Sequence, residues 1–307
     1  MLNYLMRRLL IVDGHAIAHR AYHSIPPLTF QGQPVNAIYG FYSMLLTAIS
    51  SLKPHYLIVC LDSPGPTLRQ HEFIGYRAKR KPTDMDLVSQ LPLLQESLQT
   101  STIPNFAIGG YEADDLIASL TKLALKKVRK GIISQITIIT GDKDLMQLVG
   151  PQVELFVPIR GLSETKIFQK DDVKEKLGVF PTQVIDLKAL MGDMSDNYPG
   201  VAGIGPKVAV DLLSQYKNLD NIYQHLDEIK PAVKEKLING RENAYLSQKL
   251  ASLIYDIPFK FKLKEALWNQ NRMENLKQLF LNYNFKSLAA RLDKKNPPKK
   301  INQTSLF

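Results

Sequence analysis

Three short apolar runs in this chain each end on an aspartate, and that arrangement limits the folds open to it. Leu9-Leu10-Ile11-Val12 leads into Asp13, residues 56–61 (YLIVCL) lead into Asp62, and residues 136–140 (ITIIT) lead into Gly141-Asp142. Runs of this length, rich in β-branched residues and without polar alternation, suit strands buried on both faces. Helical patterns lie between them. Residues 37–52 read as one helix, and Leu116, Leu120 and Leu123 mark the apolar stripe of another. Strands alternating with helices predict parallel βαβ units and a doubly wound α/β sheet. Ligands bind such a sheet outside the carboxyl ends of its strands. Three carboxylates are thus delivered to one edge, where they repel one another unless cations neutralise them. A single aspartate after a strand is commonly the cap of the next helix; three at one edge favour a metal site.

At 307 residues the chain can hold one large domain or two modest ones, and its 45% hydrophobic content supports a packed core. No apolar run approaches the roughly 20 residues of a membrane span, so no membrane partner is expected. The apolar run after Arg7 and Arg8 stops at Asp13, too short for a signal peptide. The lone cysteine, Cys60, lies inside an apolar run and permits no internal disulfide, which fits a reducing cytoplasm. Residues 6–180 read as the α/β domain. From about residue 181 short helical patterns take over and continue to 292, predicting a second, all-helical region. Residues 293–307 are basic and Pro-containing and read as a flexible tail.

Further acids join the first three. Glu112, Asp114 and Asp115 open a helical pattern, Asp144 follows Asp142, and Asp193 and Asp196 stand at the junction with the helical region. Acidic residues favour a helix's first turn, but three in four positions exceed what one terminus needs. Nine carboxylates at element ends, in a protein of formal net charge +10, form an acidic heart in a basic surround. Oxygen ligands without histidine or cysteine at metal spacing select hard cations such as Mg²⁺ or Mn²⁺. Two such ions about 4 Å apart are the standard device for displacement at a phosphodiester. A haloacid-type phosphatase would carry Asp-x-Asp after the first strand, where this chain has Asp13-Gly14-His15. A Toprim-type site would use the Asp142/Asp144 pair and leave the other seven acids without a role.

The segments IVDGHAIAHRAYH, GYEADDLIA, TGDKDLMQLV and GDMSDNYPGVAGIGPKVA resemble, in order and spacing, the signatures of the 5′ nuclease superfamily. Within it they are most similar to the 5′→3′ exonuclease domain of bacterial DNA polymerase I, with flap endonucleases as relatives. The resemblance spans residues 6–292. It implies a PIN-like, mostly parallel sheet flanked by helices, and two Mg²⁺ ions, Mn²⁺ being able to substitute. Asp13, Asp62, Glu112, Asp114 and Asp115 would serve the first ion. Asp142, Asp144, Asp193 and Asp196 would serve the second. GVAGIGPKVA matches a helix–hairpin–helix element, in which Gly203 and Gly205 let backbone N–H groups approach a DNA phosphate and Lys207 adds a contact. In the family this element also holds a monovalent cation, K⁺.

The resemblance places a mobile helical arch at about 69–98, a stretch containing Arg69, Tyr76, Arg77, Lys79, Arg80 and Lys81. Composition alone reads this as an exposed basic loop. The usual family pattern is Tyr-Lys-x-x-Arg; here Tyr76 is followed by Arg77, with Arg80 in the last place. A fixed cation at the scissile phosphate survives that change, but proton loss there does not, because arginine stays charged in proteins. By the same likeness Arg77, Arg80 and Arg20 would act at the phosphate, Lys79 would hold DNA, and Tyr76 would stack on a terminal base. The implied activity is structure-specific 5′ nuclease action on flaps, nicks and RNA primers by a monomer. The alternatives are a DNA-binding module without catalysis and a PIN-type ribonuclease. No polymerase region follows, so a free-standing exonuclease is expected. At the chain's end Gln303, Leu306 and Phe307 resemble a peptide that docks on the β sliding clamp, with Thr304 where Leu is common.

Overall fold

The computed structural model describes residues 7–161 and 164–293. The chain begins with β1 (Arg8–Asp13), α1 (Gly14–Ser24), a small hairpin of β2 (Thr29–Phe30) and β3 (Gln33–Pro34), and α2 (Asn36–Leu52). Next come β4 (Tyr56–Cys60), α3 (Leu68–Glu72), α4 (Met85–Thr100), β5 (Asn105–Phe106), α5 (Ala113–Arg129) and β6 (Gln135–Ile139). A 3₁₀ turn at Asp144–Leu148 leads to β7 (Val153–Arg160), β8 (Glu164–Phe168) and α6 (Lys170–Leu177). The helices α7 (Val184–Met191), α8 (Pro206–Tyr216), α9 (Leu219–Gln224), α10 (Pro231–Asn239) and α11 (Arg241–Ala251) follow. The last two are α12 (Gln270–Asn282) and α13 (Lys286–Leu292).

Strand order in the main sheet is β5-β4-β1-β6-β7-β8, parallel throughout except for β8, which runs antiparallel to β7. The three runs singled out in the sequence are its central strands. From β1 the chain builds outward through β4 and β5, then crosses to β6 and β7. The order therefore reverses beside β1, where a crevice opens at the strands' carboxyl ends. Asp13 pairs with Cys60 and Val12 with Ile139, so the three strands end at one level.

Alternate residues of each central strand face opposite layers, as pleating requires. Leu9, Ile11, Ile58 and Ile138 pack with α5 and with helices α7 to α11. Leu10, Val12, Leu57 and Val59 pack with α1 and α2. The second layer also contains Leu276, Phe280, Phe285 and Leu288 of the last two helices and their junction. Phe280 meets Tyr42 edge-on at 5.2 Å, and Phe285 meets Tyr39 in the same way at 5.2 Å. The helical region expected over 181–292 is thus divided. Helices α7 to α11 pack with α5 on one side of the sheet, whereas α12 and α13 return to the layer of α1 and α2 on the other.

The arch expected at 69–98 also takes a different form. Its second half is α4, which buries Leu87, Leu94 and Leu98 and ties Gln90 to Asn36 and to the Ala37 N–H. That packing makes α4 a core helix. The open part is the turn-rich stretch 73–84, between α3 and α4.

Candidate active site

Asp13 both caps α1 and faces the crevice. Its Oδ1 accepts from the Ala16 N–H at 3.0 Å, and its Oδ2 accepts from the Thr140 hydroxyl at 2.7 Å. Asp62 caps across elements: its Oδ1 accepts from the Ala113 N–H at 2.7 Å, at the start of α5. Its own N–H donates to His15 Nδ1 at 3.0 Å. Thr140 accepts from the Asp142 N–H, and Asp142 Oδ1 accepts from the Asp144 N–H. Each of these carboxylates is thus aimed by backbone or hydroxyl donors while keeping acceptor capacity in reserve.

Asp13, Asp62, Glu112, Asp114 and Asp142 line one cleft of about 600 Å³. His15, His19 and His23, one turn apart on α1, line it too, with Arg77, Arg80 and Lys81 from the 73–84 stretch. Burial, with the neighbouring charges of Asp142 and Asp62 adding to it, pushes the Asp13 carboxyl to about 7 despite its two hydrogen bonds. Burial and the charges of Asp142, Asp13 and Asp144 hold Asp114 well above the carboxylate range. So crowded a set of acids gains from a positive charge placed among them.

Beside the cleft, Asp144, Asp193 and Asp196 each present an oxygen within 4.8 Å of the others. Asp193 comes from the turn after α7, where Gly192 and Gly200 cross at close range. A Cβ on Gly200 (φ +59) would lie 2.1 Å from the Gly192 nitrogen. Lys188 of α7 donates to Asp144 and to Asp193, the latter at 2.7 Å. Burial and Asp142 raise Asp144 to about 6 against the pull of Lys188. Burial also disfavours ionised Asp193, yet Lys188, Ser195 and the Asp196 N–H bring it down to about 2.

Arg77 joins the two clusters. It lies 3.0 Å from Glu112 Oε1 and donates through Nε to Asp196 Oδ1 at 3.1 Å. Arg80 approaches the same Asp196 oxygen at 3.4 Å. The Arg77 backbone, at φ +57, donates to the Asp196 carbonyl, anchoring the start of the basic stretch over the acids. Lys79 is exposed on the turn between them.

Three residues stand elsewhere than their expected roles require. Asp115 does not enter the cleft: it is 1% exposed, and Arg69 and the N–H groups of Glu112 and Ile254 occupy its two oxygens. Tyr76 is 4% exposed and offers no face to a base, because its hydroxyl donates to Glu112 at 3.1 Å and to Asp196 at 3.4 Å. Arg20 leaves α1 on another side and donates to the Gly161 carbonyl at 3.1 Å.

Sequence reading missed Thr140, Lys188 and the α1 histidines, and took Arg69 for an exposed cation. A visible signal existed for Lys188: it is the only basic residue in the otherwise apolar and acidic helix VIDLKALM. The residues of the expected hairpin element surround the start of α8. Gly203 adopts φ +79, Gly205 caps α8, and Lys207 is exposed in the first turn of that helix. Gln303, Leu306 and Phe307 lie outside the described residues.

Residues 8–178 match the family model of the 5′-3′ exonuclease N-terminal resolvase-like domain, and residues 179–274 that of the 5′-3′ exonuclease C-terminal SAM fold. The chain belongs to the 5′-3′ exonuclease family. A 5′-3′ exonuclease of Bacillus subtilis is 34% identical over 294 residues, covering 94% of this chain and 97% of the relative. DNA polymerase I of Caldicellulosiruptor bescii is 40% identical over 288 residues, covering 93% of this chain. The chain spans about a third (33%) of that polymerase's length. Among solved structures, T5 5′-exonuclease with divalent metal ions (zinc) bound superposes with a TM-score of 0.65 at 23% identity. It covers 94% of this chain and all (100%) of its own. The catalytic core of Rad2 in complex with DNA gives 0.57 at 17%, covering 93% of this chain and 92% of its own. Both likenesses concern the fold.

Proposed function

We propose that this protein is a structure-specific 5′ nuclease that hydrolyses DNA phosphodiesters as a 5′→3′ exonuclease and 5′-flap endonuclease. The observation that carries the reading is one cleft in which carboxylates from the ends of β1, β4 and β6 and from α5 face the basic residues of the 73–84 stretch. Its natural substrates are flaps, nicks and RNA-primed ends in replication and repair in the cytoplasm. We take the monomer as the acting form.

The donor set fits two hard cations. Asp13, Asp62, Glu112, Asp114 and Asp142 would hold one, and Asp142, Asp144, Asp193 and Asp196 the other, with Mg²⁺ the natural ion and Mn²⁺ a substitute. When bound, such a pair supplies a hydroxide nucleophile and neutralises the leaving oxygen. The chain's own residues do the rest. Thr140 and the Ala16 N–H keep Asp13 aimed. Arg77 supplies fixed charge for the scissile phosphate, and Arg80 and Lys81 guide the strand that enters past them. Gly203, Gly205 and Lys207 grip the backbone of the adjoining duplex at the α8 N-terminus, where K⁺ bound to carbonyls would assist. Asp115 and Tyr76 brace the wall from behind.

Cleavage of labelled 5′-flap DNA, single-stranded DNA and RNA, with Mg²⁺ or EDTA, tests the reading. Flap DNA should be cut with Mg²⁺ alone, and Asp142→Ala should abolish cutting while binding persists. Preferential cutting of single-stranded RNA would point to a PIN-type ribonuclease. Flap binding without cutting by the wild type would leave a DNA-binding module.

A further inference from the structure

Two of the sheltered cations around the acids, Arg69 and Lys188, are of opposite character. The Arg69 guanidinium is locked: it makes two 2.7 Å bonds to Asp115 and donates to the carbonyls of Leu250 and Ser252. Lys188 is held by carboxylates alone, those of Asp144 and Asp193, among the contacts of the described residues. Lysine is a compact point charge on a flexible four-carbon stem, and it can leave without breaking a planar fork.

The two acceptors of Lys188 are two of the three acids whose oxygens gather within 4.8 Å. A hard cation bound between Asp144 and Asp193 would need the oxygens that the ammonium now holds, at distances near 2.1 Å. An ammonium 2.7 Å from Asp193 Oδ2 and a divalent cation on the same group would repel strongly in so sheltered a place. Lys188 and the second ion therefore exclude each other from this position.

We propose that Lys188 is the resident counter-cation of the Asp144–Asp193–Asp196 cluster, holding it assembled until an arriving divalent ion displaces the ammonium toward the cleft. The assignment rests on the two-ion reading above. It gives this lysine a positioning role with two consequences. The metal-free protein keeps the cluster folded without severe carboxylate repulsion, and the second ion binds more weakly than the acids alone would allow. The displaced ammonium then lies free beside the cleft, where a substrate phosphate brings negative charge.

Mn²⁺ binding, followed by the loss of the free-ion EPR signal without DNA, tests this on wild type, Lys188→Gln and Lys188→Arg. Wild type should bind two ions. Lys188→Gln should bind the weaker one about tenfold more tightly while melting at a lower temperature in EDTA. Lys188→Arg, with a fork that is harder to displace, should bind it more weakly than wild type. A merely structural lysine would show the opposite sign, with looser binding in the Gln variant, and that result would overturn the proposal. If the Gln variant does not fold, wild-type affinity in the Arg variant would overturn it equally. Fewer than two ions on wild type would instead remove the two-ion reading itself.

Discussion

Arg69 and Asp115 face each other through two parallel hydrogen bonds of 2.7 Å each, and both side chains are buried. The arginine also reaches the Leu250 and Ser252 carbonyls, 181 and 183 residues along the chain. One side chain thus pins α3, the start of α5 and the end of α11 together. Neutralising Asp115 leaves the buried Arg69 charge with only its longer, 3.2 Å contact to Glu112, and breaking one partner of a buried pair costs about 3–5 kcal/mol. Asp115→Asn should therefore lower the unfolding free energy by about 3 kcal/mol in urea titrations, with the number of bound Mn²⁺ ions unchanged. Loss of one ion would return Asp115 to the ligand set.

On the proposed role of Arg77 at the scissile phosphate, Arg77→Ala should reduce turnover about 10²–10³-fold with a much smaller change in DNA affinity. Arg77→Lys should retain substantial activity. Single-turnover kinetics separate the two parameters. A change confined to the binding constant would make Arg77 a docking residue and move the role to Arg80, which approaches the same Asp196 oxygen.

The acids set a pH dependence whose sign is fixed. Asp13 titrates near 7 and Asp144 near 6 in the folded protein, against 3.8 for an unperturbed aspartate. Between pH 4 and about 7 these two carboxyls then bind more protons in the folded state than in the unfolded one, while burial of His15 and His19, which lowers their pKa values, acts in the opposite sense. The stability that these carboxyls contribute to the metal-free protein should fall as pH rises through that window. Divalent ions relieve the same repulsion, so the Mg²⁺-induced rise in Tm should be larger at pH 8 than at pH 5.5 by scanning calorimetry. Cleavage should climb over the same range as protons leave the ligands. An equal Tm gain at both pH values would mean that these carboxyls do not carry the metal.

Gly200→Ala tests the crossing of the hairpin. The added Cβ would meet the Gly192 backbone at 2.1 Å in a left-handed conformation. Overpacking and backbone strain together predict a loss of about 2–3 kcal/mol. Binding to duplex-containing DNA should fall further than binding to short single strands. A neutral substitution would show that the turn has room to relax.

Some of this was written plainly in the chain. Strands β1, β4 and β6 are legible because burial on both faces demands unbroken apolar runs. The acids are legible because each ends an element. The arch misled because its basic residues drew attention from Leu87, Leu94 and Leu98, whose helical spacing marks a core stripe. Tyr76 and Arg69 were opaque for another reason. Their burial depends on Tyr198, Leu250 and Ala251, which share a small apolar cluster with Tyr76 from far along the sequence. No local pattern reports a lid supplied from there. Lys188 was legible in principle, as the odd cation of its helix, but its acceptors were not.

The return of α12 and α13 to the α/β layer has a mechanical consequence. The chain enters α7 to α11 from α6 and leaves along the sheet edge, where Leu267 bridges Tyr56 and the Trp268 N–H donates to the His55 carbonyl. The hairpin module is therefore an insertion clamped at both ends, without a single-strand hinge to swing on. The spacing between the α8 N-terminus at Gly203 and the acids at Asp142 becomes a fixed gauge. A duplex seated on the hairpin would present its backbone to the carboxylates at a set number of nucleotides, and the scaffold itself would choose which bond is cut.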